Sequence, residues 1–231
     1  ITVTAVNDAP VLADTVLSLP AVMGSTIATV PTGQVGISVN DLVGGVSDVD
    51  ASAVKGIAVT GVNANGVLYT SLDNGATWVI QNTVSDTSSV VLSANSLNRV
   101  YFLPNANYVG DISNALTIRA WDKSGGALEE NRIGAASLSG GTGSTSTASD
   151  TISQHVVTPV TINAVSTDNI VAPSETLTMS GGAELNATVT LTANSQSFNV
   201  IANSSGNWSY DGSKVRYIMV RKSLLNLAIG T

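Results

Sequence analysis

Strand-like runs recur about every ten residues along this chain, each bounded by Gly, Asn, Asp or Pro, and that spacing confines it to a sandwich or a barrel. The runs are 34–39, 55–63, 67–71, 77–81, 88–93, 99–103 and 115–121, with a further run over 151–165. Asn65-Gly66 and Asn74-Gly75 fall between such runs, and each dipeptide accommodates the positive φ that tight hairpins demand, so both read as hairpin tips. No stretch before residue 214 sustains a 3.6-residue apolar period over three turns. A parallel α/β sheet, which needs crossover helices, is therefore disfavoured.

Composition sharpens this reading. With 43% hydrophobic and 11% charged residues the 231-residue chain has apolar material for one or two cores, so wholesale disorder is not expected. Net charge is −7, which opposes a surface that tracks phosphates or anionic lipid, and nucleic acid is excluded as a partner. No run of about 18 apolar residues is present to span a bilayer, so membrane insertion is not expected. With no Cys and one His, thiolate chemistry and His-rich metal sites are excluded. Carboxylate and carbonyl oxygens are left as ligands, and these suit hard cations, calcium above all.

Four segments follow along the chain. Residues 1–10, ITVTAVNDAP, read as the end of one unit and a linker, so the chain resembles an interior piece of something longer. Residues 11–159 form a first β-sandwich that contains a Gly/Ser/Thr-rich stretch over 123–150, whose short side chains bury little and predict a mobile loop. VTINAV near 160–165 echoes ITVTAV at the start, which suggests tandem units. Residues 160–213 then supply strands at 176–180, 187–193, 196–202 and 207–210, too few for a complete second sandwich. Residues 214–231 hold four of the nine Lys and Arg and no acid, and read either as an ending foreign to the rest or as an amphipathic tail helix.

Acidic residues are scarce, so their placement carries information. Asn7-Asp8 precedes the first strand, Asp48 and Asp50 form an Asp-Val-Asp step, and Asp122 ends the apolar run LTIRAW. In an antiparallel sandwich the N-terminus, the loop between the second and third strands and the last hairpin loop share one pole. Four carboxylates and an amide oxygen converging there would repel one another unless a cation neutralises them, and calcium takes six to eight oxygens. The alternative is that each Asp caps a turn.

These same residues resemble a known family. NDAP, Asp-x-Asp and Ala-Trp-Asp-x-x-Gly are similar to the three calcium motifs of cadherin-like tandem repeats, in that family's order. SLDNGATW, RVYFLPNANYVGDISNALTIRAWD and ITVTAVNDAPVL resemble the bacterial cadherin-like, VCBS-type repeats of giant surface adhesins, over about residues 1–165. The stretch from Thr161 to Tyr210 resembles the Ig-like repeats of biofilm-associated adhesins, where a Thr-Asp-Asn start and a Gly-Asn-Trp-Ser-Tyr strand recur.

The resemblance implies an all-β, antiparallel cadherin-like sandwich followed by an incomplete Ig-like one. It implies calcium ligands at Asn7, Asp8, Asp48, Asp50 and Asp122, and junction ligands at Asp168 and Glu175. It further implies a non-enzymatic spacer at the bacterial cell surface, in adhesion and biofilm formation. Its partners would be neighbouring repeats of the same polypeptide, with surface glycans or other cells engaged through other domains.

Other features carry quieter readings. His155 is expected to face solvent from a strand, and Trp78, Trp121 and Trp208 to fill cores, although pole-loop Trp and Asp residues holding a glycan form the alternative function. GGTGST at 140–145 lacks the Lys and the context of a phosphate loop, and reads as a linker-like loop. Glu129 and Glu130 read as solvated charge.

Overall fold

The computed structural model describes residues 6–51, 53–124, 130, 133–134, 140–163, 178–193, 196–211 and 226–230. The chain divides into two compact units, Ile1–Val156 and Val157–Thr231. The fold is all-β, and its sheets are mostly antiparallel, with β-strands Leu17–Ser18 and Asp150–Val157 forming a short parallel pair.

In chain order the first unit carries strands β1 (Val11–Leu12), β2 (Leu17–Ser18), β3 (Val22–Met23), β4 (Ile37–Ser38), β5 (Val46–Ser47), β6 (Gly56–Val62) and β7 (Gly66–Ser71). These are followed by β8 (Val79–Gln81), β9 (Ser89–Ser93), β10 (Arg99–Pro104), β11 (Gly110–Trp121), β12 (Ile133–Gly134) and β13 (Asp150–Val157). One sheet runs β12-β9-β6-β11-β13-β2, with β3 also on β13; a second runs β4-β10-β7-β8, and β1 pairs with β5. Alternation along the strands fills the space between the two main sheets. Ile57, Val59, Val90, Leu92, Leu116, Ile118 and Ile152 from the larger sheet form one buried cluster with Leu68, Val100 and Phe102 from the smaller. The opposite face of the larger sheet is also closed at one end, where Trp121, 1% exposed, packs with Ala58 and Val91.

Turn chemistry explains two departures from expectation. The run expected over 34–39 is strand only at β4, because Gly33 and Gly36 hold φ of 69° and 67° and the Ser38 hydroxyl accepts the Asn40 N–H to start a short 3-10 turn. Asn74 and Gly75, with φ of 58° and 91°, do lie in the loop of the β7–β8 hairpin. Asn65-Gly66, by contrast, is no hairpin tip. It joins β6 of one sheet to β7 of the other, closed by the Gly66 N–H donating to the Asn63 carbonyl at 3.2 Å, with neither residue at positive φ. Gly66 is needed there for space: a Cβ would lie 2.6 Å from the Leu103 carbonyl and closer still to the Phe102 ring.

The second unit pairs β14 (Thr178–Gly182) with β17 (Asn207–Asp211), and β15 (Thr188–Ala193) with both β16 (Gln196–Ile201) and β18 (Asn226–Gly230). Met179, Ala183, Val189, Leu191, Ala202 and Trp208 form its buried cluster, and the Trp208 indole N–H donates to the Gly182 carbonyl at 3.1 Å. The helical reading of the tail is corrected at Asn226–Gly230, which is a strand. Its main chain extends the β15–β16 pair, and that ladder outweighs the local amphipathic pattern.

A cluster of oxygens at one pole of the first unit

Asp48 and Asp50 lie between β5 and β6, Asp122 follows the last residue of β11, and Asn7 and Asp8 precede β1. The structure links all five through hydrogen bonds at one pole. The Asp50 N–H donates to Asp48 Oδ1 at 2.8 Å, so the Asp-x-Asp step closes on itself. Asp50 Oδ2 accepts the Asp8 N–H at 2.8 Å, and the Asn7 amide donates to Asp122 Oδ2 at 3.0 Å. Asp122, 6% exposed, also accepts the Ser124 N–H on Oδ1 at 2.7 Å. Asp168 and Glu175 lie outside the described residues.

Among the described residues, acceptors outnumber donors at this pole. The Asn7 Nδ2 atom sits 3.0 to 3.1 Å from three oxygens, those of Asp122 Oδ2, the Gly143 carbonyl and the Asp8 carbonyl, yet an amide has two hydrogens to give. Asp48 Oδ2 is buried and accepts no hydrogen bond. Among the described residues no Lys, Arg or His forms an ion pair with Asp8, Asp48, Asp50 or Asp122. The donor set is therefore hard oxygen in surplus, the kind calcium takes. As they stand, no three acidic or His side chains among the described residues are grouped to hold a metal ion.

The sequence reading missed one participant. The stretch over 140–150, expected to be mobile and linker-like, is bonded into the fold along its length. Thr145 and Ser146 are 0% and 1% exposed; the Asp122 N–H donates to the Ser144 carbonyl at 3.1 Å, and the Ala120 N–H to Ser146 Oγ at 2.9 Å. From this turn the Gly141 carbonyl accepts the Ala9 N–H at 2.8 Å. Short polar side chains gave no sign of this, since the order comes from main-chain bonds to β11 and one Ser146 hydroxyl contact, none of which leaves an apolar pattern. Gly140-Gly141, at φ of 76° and 59°, is the one local signal of a defined turn.

Glu130, too, differs from the solvated charge expected. Its carboxylate is bonded by the Ser93 hydroxyl, by the Asn98 amide at 2.9 Å and by the Lys123 ammonium at 3.0 Å. Burial pushes its pKa up, but those three donors outweigh it and the carboxyl lies below its ordinary value. Glu129 lies outside the described residues.

The remaining candidates divide. His155 stands on β13 with its side chain 41% exposed and 2.6 Å from Asp111. Trp121 and Trp208 are buried, so the pole-loop Trp121 has no face open to a sugar. Trp78 does not fill the core as expected: it is half-buried, tied by its indole N–H to the Gly33 carbonyl at 3.1 Å and set edge-on to Tyr101 at 6.0 Å.

No protein-family model matches the chain, and no curated protein does either.

Proposed function

We propose that this chain is a structural spacer from a large extracellular bacterial adhesin, a cadherin-like repeat followed by an incomplete Ig-like one, in which calcium at the pole of the first unit stiffens the junction with its neighbour. The observation that carries this reading is the meeting of Asn7, Asp8, Asp48, Asp50 and Asp122, three chain segments far apart in sequence, with surplus oxygens. A divalent ion bound between a linker and a sandwich pole would satisfy those surplus oxygens while tying the two together. The role would be mechanical and non-enzymatic: repeats in series project a distal adhesive part away from the cell. Among the described residues no helix is long and apolar enough to cross a membrane.

Calorimetric titration of the full chain with calcium tests the reading. Saturable binding at an affinity of about 10⁻⁴ M, as extracellular calcium modules show, is expected, and it should vanish when Asp48 and Asp50 are both changed to Asn. Absence of binding at millimolar calcium would leave the carboxylates as turn caps.

A second reading, glycan binding, draws on one observation. The half-buried Trp78 beside Tyr101 is an aromatic pair held in fixed geometry, which a sugar ring could stack against.

A further inference from the structure

We propose that the Gly140–Ser146 turn is a polypeptide clamp that holds the Asn7–Ala9 segment against the first unit without any cation. On one side the turn is fixed to β11. The Asp122 N–H donates to the Ser144 carbonyl at 3.1 Å, the Ser146 N–H to the Ala120 carbonyl at 3.1 Å, and the Ala120 N–H to Ser146 Oγ at 2.9 Å. It is also closed on itself, with the Gly140 N–H donating to the Thr145 carbonyl at 2.8 Å and the Gly143 N–H to the Gly140 carbonyl at 3.0 Å.

On its other side the turn presents two carbonyls to the segment before β1. Gly141 accepts the Ala9 N–H at 2.8 Å, and Gly143 accepts from the Asn7 amide at 3.1 Å. A third tie comes from a different loop, where Asp50 accepts the Asp8 N–H at 2.8 Å. Both turn bonds are neutral and independent of metal. The turn can aim its carbonyls this way because Gly140 and Gly141 adopt positive φ, a conformation that bulky L residues avoid.

If residues 1–10 are a junction between repeats, on which the biological meaning of this clamp rests, the path of the chain into the unit is set before calcium arrives. Calcium then adds stiffness to a segment already held, instead of creating order from a free linker.

Amide hydrogen exchange on the full chain in chelator tests the clamp. The Ala9 N–H should exchange at least about tenfold more slowly than in an unstructured chain, as a closed local bond requires. Gly141→Val, whose Cβ meets nothing within 4 Å but whose branched side chain opposes a φ of 59°, should abolish that protection while leaving the β6 and β11 amides unchanged. Gly141→Asn, which tolerates this φ, should keep it. Asp50→Ala should expose the Asp8 N–H and spare Ala9. Free exchange at Ala9 in chelator would overturn the clamp, even if calcium restored protection, an outcome that would favour the calcium reading alone. Retention of Ala9 protection in Gly141→Val would overturn it as well.

Discussion

Asn7 and Asp122, 115 residues apart in the chain, meet at 3.0 Å, the amide of one donating to the carboxylate of the other. The contact joins the segment before the first strand to the loop after the longest one. Because Asp122 is buried and, among the described residues, its carboxylate is otherwise bonded by the Ser124 N–H alone, removing this donor leaves an acceptor under-satisfied. Asn7→Ala is expected to lower stability by about 1 kcal/mol in chelator, a typical loss for one partly buried hydrogen bond, measured by urea denaturation.

Gly66 sits where two sheets exchange a strand, with the Phe102 ring against its Cα. Gly66→Ala forces a methyl group to within 2.6 Å of the Leu103 carbonyl. Overpacking of this kind costs about 1 to 3 kcal/mol, and the expected result is a lower urea midpoint with an unchanged slope. An unchanged midpoint would mean that the β6–β7 turn is looser than described.

Asp73, in the β7–β8 hairpin loop, has its carboxyl lowered to about 2 from an ordinary 3.8, chiefly by the Thr77 hydroxyl and N–H and then by the Ser71 hydroxyl. Folding therefore favours its ionised form. Its contribution to stability is fully present above pH 3.8 and is lost as pH falls through about 2. A carboxyl-detected NMR titration should give a midpoint near 2, and Thr77→Val should move that midpoint up towards 3.8. A wild-type midpoint near 3.8 would contradict the bonded loop.

The three tryptophans separate packing from surface chemistry. Trp121 is 1% exposed, so Trp121→Ala should cost about 3 to 5 kcal/mol. Trp78→Ala, at a half-buried ring, should leave most of the stability in place. If the full chain binds polysaccharide in a pull-down and Trp78→Ala alone abolishes it, the glycan reading gains over the spacer.

How much of this was written in the sequence depends on what each signal encodes. Strand runs such as 99–103 and 115–121 were legible because apolar alternation and flanking turn residues act locally, and both reappear as β10 and β11. The meeting of these segments was legible because acidic residues are few overall and the Asp-x-Asp step and Asp122 stand at the ends of strand runs that a sandwich brings to one end. Asn65-Gly66 misled because its dipeptide resembles Asn74-Gly75, and nothing local says whether the next strand returns to the same sheet. The 140–146 turn was illegible for another reason. Thr145 and Ser146 are buried against β11, Ser146 through its N–H and its hydroxyl, and a polar, low-complexity stretch carries no trace of such partners.

Calcium at the pole is the central claim, and a pair of thermal melts of the full chain tests it most directly, one in about 1 mM calcium and one in chelator. At an affinity of about 10⁻⁴ M, mass action adds about 1.4 kcal/mol, which for a chain of this size raises Tm by about 3 to 6 °C. The account predicts that rise in the first unit, its absence when Asp48 and Asp50 are changed to Asn, and no comparable rise with magnesium. Superimposable melts in calcium and chelator would contradict it.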